Sequence, residues 1–118
     1  MSSFLFVGLG GAVGSMLRYG VSRIPFRGSF PVATLLVNLL GAVLIGYVTG
    51  MARSRQAPEN LVLFLKTGVC GGFTTFSTFS LEAFTLLQNG KYLYAGLYLL
   101  LSVAGCLGGI WLGMRLAR

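Results

Sequence analysis

Apolar residues run through this chain in long blocks, separated by short clusters of proline, glycine and charge. A hydrocarbon core about 30 Å thick is crossed by about 20 helical residues, and four such blocks can be cut from the sequence. The first spans roughly 4–24 and the second 31–51, with Ser29 able to cap and Pro31 suited to a first turn. The third covers 58–88, opening on Pro58-Glu59 and stopped by Asn89-Gly90. The fourth covers 91–114. Little chain remains between the blocks, so the pattern predicts one all-α membrane domain over 1–118 with short loops and no soluble domain.

Glycine is periodic within these blocks. Gly10 and Gly14, Gly46 and Gly50, Gly68 and Gly72, and Gly105, Gly109 and Gly113 each stand four apart. At that spacing glycines share a helix face and let neighbouring backbones approach, the packing device of helices that lipid does not drive together.

Composition narrows the class further. Hydrophobic residues make up 55% of the chain and charged ones 9%, too little charge to coat a small water-soluble globule. An ordinary soluble enzyme, a disordered tail and a disulfide-stapled secreted module are excluded. The net charge of +7 comes from scattered single bases, including Arg53, Arg55, Lys66, Lys91 and Arg115. No run is dense enough to track a nucleic-acid backbone, and the positions suit helix-end anchors at lipid headgroups. Cys70 and Cys106 lie in apolar blocks with no histidine in the chain, which argues for small buried thiols rather than a metal site. Met1-Ser2-Ser3 lacks the basic region of a signal peptide. The run Gly8–Gly14 imitates a dinucleotide turn, but its spacing is wrong and Glu59 is the first acid.

With four crossings, one side of the membrane carries Arg53, Arg55, Arg115 and Arg118, and the other Arg23, Arg27 and Lys91. Four against three gives positive-inside bias nothing to act on. The expectation is a chain that inserts both ways round and pairs as an antiparallel homodimer.

Polar side chains at membrane depth mark either interhelical bonds or a pathway. In the second block Thr34 and Asn38 share a face, with Asn38 an interhelical bond or a pore donor. The third block carries Gly71-Gly72-Phe73-Thr74-Thr75-Phe76-Ser77-Thr78-Phe79-Ser80, a glycine pair followed by five hydroxyls. Glycine weakens a helix and Ser or Thr can satisfy freed backbone groups, so the helix is expected to break near 71–75, at mid-membrane. Broken helices expose carbonyls on one half and N–H groups on the other, natural sites for cations and anions. Phe76 and Phe79 are either core rings or rings whose positive edges meet an anion. Tyr98, Ser102 and Cys106 form a stripe in the fourth block, by packing or as a conduit wall; Tyr92, Tyr94 and Trp111 suit the interfacial belts.

The run from Gly71 to Phe79 resembles the signature of the Fluc-type (CrcB-like) fluoride channels of bacteria. Gly10-Gly11-Ala12-Val13-Gly14 with Arg18-Tyr19, and Asn38-Leu39-Leu40-Gly41, resemble that family's other boxes, so the likeness covers the whole chain. The resemblance implies an antiparallel homodimer in the cytoplasmic (inner) membrane with two passive pores that export fluoride and reject chloride. It makes Asn38 the pore asparagine and Phe76 and Phe79 the pore phenylalanines, with Ser77 and Thr78 between them. Tyr98 and Ser102 become a polar track, from which Cys106 departs where a serine is expected. A structural sodium ion on the dimer axis would be held by the carbonyls of Gly71 and Thr74, and Arg18 would stand near a vestibule. The rival is a proton-coupled small multidrug exporter of the same four-helix, dual-topology build, which needs an embedded carboxylate. Only Glu82 could serve, and it is expected to pair with a base or cap locally. A purely structural scaffold is a third reading.

Overall fold

The computed structural model describes residues 2–26, 28 and 30–117 and is helical throughout. Helix α1 spans Ser2–Ser22 and α2 spans Val32–Arg55. Helix α3 covers residues 59–73, and α4 (Ser77–Gln88) follows it after three non-helical residues. Helix α5 spans Tyr92–Leu116. Four segments, Ser2–Ser22, Val32–Arg55, Glu59–Gln88 and Tyr92–Leu116, are long and apolar enough to cross a membrane. The longest dimension, 48 Å, compares with about 40–45 Å for a bilayer including its headgroups.

The ends differ in detail from the sequence expectation. Helix α2 starts after Pro31 rather than at it, and it runs a turn further, to Arg55, where Gln56 turns away at φ 49°. Ser29 lies outside the described residues. At the end of α4, Gly90 adopts φ 74°, its N–H reaches the Leu87 carbonyl, and the Lys91 N–H reaches Leu86 at 2.9 Å. That pair of bonds closes the last carbonyls of a helix and needs the positive φ that glycine gives.

The helices associate as two parallel pairs, α1 with α3 and α2 with α5. The glycines explain why. A methyl group on Gly10 would strike the Phe64 carbonyl, and one on Gly14 the Val69 carbonyl. In the second pair Gly46 lies against the Ile110 carbonyl and Gly113 against that of Val43. Backbone therefore packs on backbone, which brings dispersion contacts that lipid tails cannot supply as well. Leu9, Met16, Leu93, Leu100 and Leu107 point outward, as a lipid-facing surface requires. Trp111 is also exposed, with the Arg115 guanidinium over its ring at 5.2 Å.

Helix α3 is not uniform. Residues Leu63–Cys70 form π-helical turns, flanked by α-helical Glu59–Val62 and Gly71–Phe73. The glycine pair expected to break the helix lies inside it: the backbone becomes extended only at Thr74 (φ −81°, ψ 156°), and helix resumes at Ser77. Gly72 serves a different purpose, since a side chain there would meet the Gly11 backbone of α1.

Candidate functional site

The gap between α3 and α4 leaves backbone groups without helical partners, and side chains from other helices meet them. The Thr75 N–H donates to Oδ1 of Asn38 at 2.9 Å, and Nδ2 of Asn38 donates to the Thr75 carbonyl at 3.2 Å. One amide side chain thus replaces both bonds that a continuous helix would have made at Thr75. Within the gap the Thr74 hydroxyl folds back onto the Cys70 carbonyl at 2.8 Å, and the Thr75 hydroxyl accepts from the Thr78 N–H at 3.3 Å. Nε of Arg18, on α1, donates to the Gly72 carbonyl at 3.2 Å. That places a cation at the negative end of α3.

An open groove of about 630 Å³ runs beside this junction. Asn38 and Gly41 of α2, Gly71 of α3, Thr74 of the gap, Phe76 and Phe79 at the start of α4, and Ser102 and Cys106 of α5 face it. The Phe76 ring is 78% exposed, whereas Phe79 is 8% exposed and lies 5.6 Å from it between ring centres. Ser102 is 6% exposed, and its Oγ has no hydrogen-bond partner among the described residues. An unmet buried hydroxyl costs about 1–3 kcal/mol, so such an atom beside a cavity calls for an occupant. The Cys106 thiol donates weakly to the Asn38 carbonyl at 3.5 Å.

Other residues singled out in the sequence stand elsewhere. Thr34, Thr78 and Arg18 line a separate small cavity of about 40 Å³ with Ser22, Ala33, Val37 and Thr75. Ser77 is exposed beside the Thr75 hydroxyl. Tyr98, with 0% exposure, lies beneath the groove wall rather than on it: its ring is 5.0 Å from Phe79, and Phe30 meets it edge-on at 5.7 Å. Its hydroxyl donates to Oε1 of Glu82 at 3.2 Å. The partner of Glu82 is therefore a phenol, where a base or a local cap was expected.

Two groove residues escaped the sequence reading. Lys66 was grouped with helix-end anchors, yet it lines the groove from within the π-helical turns, as does Thr67. The available signal was a lone cation in the middle of an apolar block.

For a cation the junction offers backbone oxygen. Because the Thr75 N–H goes to Asn38, it does not close the turn onto the Gly71 carbonyl. Gly71 and Thr74 both face the groove. Among the described residues no group of three or more His, Cys, Asp or Glu side chains gathers anywhere. Backbone oxygen is a donor for hard cations rather than for transition metals.

Comparison with known proteins gives one consistent answer. The family model "CrcB-like protein, Camphor Resistance (CrcB)" matches residues 5–114. The chain is 48% identical over 118 residues to a "Fluoride-specific ion channel FluC" of Methanococcus maripaludis, covering 99% of this chain and 96% of that protein. It is 46% identical over 123 residues to the protein of that name from Ruminiclostridium cellulolyticum, covering 100% and 94%. For the one from Chlorobaculum tepidum the identity is 48% over 122 residues, covering 100% and 96%.

Proposed function

The chain belongs to the CrcB-like family, and from that premise we propose that it is a passive, fluoride-selective channel whose conducting surface is the groove between α2, α3, α4 and α5. The observation that carries this reading is the buried, partnerless Ser102 hydroxyl in a cavity that also presents Asn38, Phe76 and Phe79.

Fluoride is small and strongly hydrated, so a conduit must replace its water with donors that hold it and then release it. Ser102 brings a free hydroxyl. Asn38 brings an amide with two N–H donors, of which Thr75 takes one. Phe76 and Phe79 bring ring edges, which carry positive potential without a fixed charge. None of these groups binds as tightly as a buried guanidinium, which suits conduction. Thr34, Thr78 and Arg18 add polar groups in the small cavity on the other side of the junction, Ser77 stands exposed beside it, and Tyr98 supports the Phe79 ring from beneath.

The pore needs two copies. A groove of about 630 Å³ is far wider than one ion and leaves Phe76 78% exposed, so a second, inverted copy closes it and lays its own Phe76 across the opening. The near-even split of bases between the two sides supports insertion in both orientations. Gly71 and Thr74 carbonyls would hold a sodium ion at the axis between copies, where it supplies fixed positive charge and joins the subunits. The protein sits in the cytoplasmic membrane and lets fluoride run out down its gradient.

Purified protein in liposomes, read with a fluoride electrode, tests this. Fluoride efflux that ignores a proton gradient and excludes chloride is expected. Chloride flux of equal size, or transport that requires a proton gradient, would falsify the assignment.

A further inference from the structure

A charged side chain inside the membrane must find compensation. Glu82 has the Tyr98 hydroxyl, and Arg18 has the Gly72 carbonyl. Lys66 lines the same groove as Asn38, Ser102, Phe76 and Phe79. It stands seven positions beyond Glu59, about 10 Å along the helix from its start. Its side chain is half-buried, and among the described residues no carboxylate is paired with it.

The local backbone accounts for its position. In an α-helix Lys66 would stack over Cys70 and Phe73. Across Leu63–Cys70 the turns are π-helical, closing between residues five apart, and this brings Lys66 above Gly71 on one wall. Both residues open into the cavity. Cys70 lines the cavity as Gly71 does, so Lys66 shares that wall with the residues on the turn below it.

We infer that Lys66 is an ion-capture residue that concentrates small anions in the groove. This rests on the channel reading above. An ammonium with three donors, and no carboxylate paired with it among the described residues, raises local anion concentration by its field. Its flexible stem keeps the charge hydrated, so it attracts an ion without trapping it.

Ionic strength separates this role from a structural one. Wild type, Lys66→Gln, Lys66→Met and Lys66→Arg are compared in planar bilayers of neutral phosphatidylcholine, with assembly of each variant checked by gel filtration in detergent. At about 10 mM salt, where the screening length is about 30 Å, unitary fluoride conductance should fall about three-fold in the two neutral variants and stay near wild type in Lys66→Arg. At about 1 M, where screening acts within about 3 Å, all four should agree. The second neutral variant keeps the test open if one fails to assemble. Conductance equal to wild type at both salt levels, as expected if Lys66 merely reaches up to the headgroups, overturns the inference alone. A loss of equal size at both salt levels also overturns it, because packing is not screened. A wild-type protein that passes no fluoride overturns both this inference and the channel reading.

Discussion

Asn38 and Thr75 hold each other by two hydrogen bonds, 2.9 Å from the Thr75 N–H to Oδ1 and 3.2 Å from Nδ2 to the Thr75 carbonyl. One side chain on α2 therefore fixes the gap between α3 and α4, and with it the position of Phe76 next door. Exchange of that amide touches both the fold and the groove.

Asn38→Asp keeps the acceptor for the Thr75 N–H but loses both N–H groups, the one that bonds its carbonyl and the one left for the groove. It also sets an acceptor, and when ionised a negative charge, in the anion's path. Fluoride efflux should drop at least about 100-fold, with about 1–3 kcal/mol of stability lost through the unmet carbonyl. Liposome efflux and thermal melting of the same preparation measure the two effects.

Ser102→Ala separates function from stability in the other direction. Its hydroxyl is buried without a partner among the described residues, so removing it relieves a desolvated donor rather than breaking a bond. Melting temperature should hold or rise slightly while fluoride efflux falls about ten-fold, the loss of about 1.4 kcal/mol of ion stabilisation. A drop in melting temperature with unchanged efflux would return Ser102 to a packing role.

Phe76→Ile and Phe79→Ile should both slow fluoride, but only one should soften the protein. Phe79 is packed between Phe76 and Tyr98 at 5.6 and 5.0 Å, and loss of its ring contacts should cost about 1–3 kcal/mol. Phe76 is largely exposed in the single chain, so its exchange should leave the melting of dissociated protein unchanged. Melting in a detergent that separates the copies, alongside efflux, distinguishes them.

Gly14→Ala tests the helix pairing away from the groove. The added methyl would meet the Val69 carbonyl and crowd the Phe73 nitrogen, backbone atoms that cannot swing aside. A loss of at least about 2 kcal/mol is expected, as for other overpacked contacts. Gly8→Ala, where nothing stands within 4 Å, is the matched control and should be neutral.

The helices were legible in the sequence because lipid sets their length: an apolar run of about 20 residues admits few alternatives. The four-residue glycine spacing also carried over, since Gly10, Gly14, Gly46 and Gly113 all meet backbone. The groove was only partly legible. Asn38, Phe76, Phe79 and Ser102 come together, whereas Thr34 and Thr78 turn to another cavity and Tyr98 lies underneath. Periodicity states which residues of one helix share a face, but not which neighbour that face meets. The break expected near 71–75 falls at 74–76, because glycine has two uses and Gly72 serves close approach. Lys66 reads as a helix-end anchor because it lies within about two turns of the start of its block, and only the fold shows the cavity it faces.

The parallel pairing of α1 with α3 and of α2 with α5 has an electrical consequence. Each helix behaves as about half an elementary charge of opposite sign at its two ends. The two pairs run in opposite senses, so those end charges cancel across the bundle. Voltage across the membrane finds almost no net dipole to pull on, and turning the whole chain upside down leaves its electrostatic energy in that field nearly unaltered.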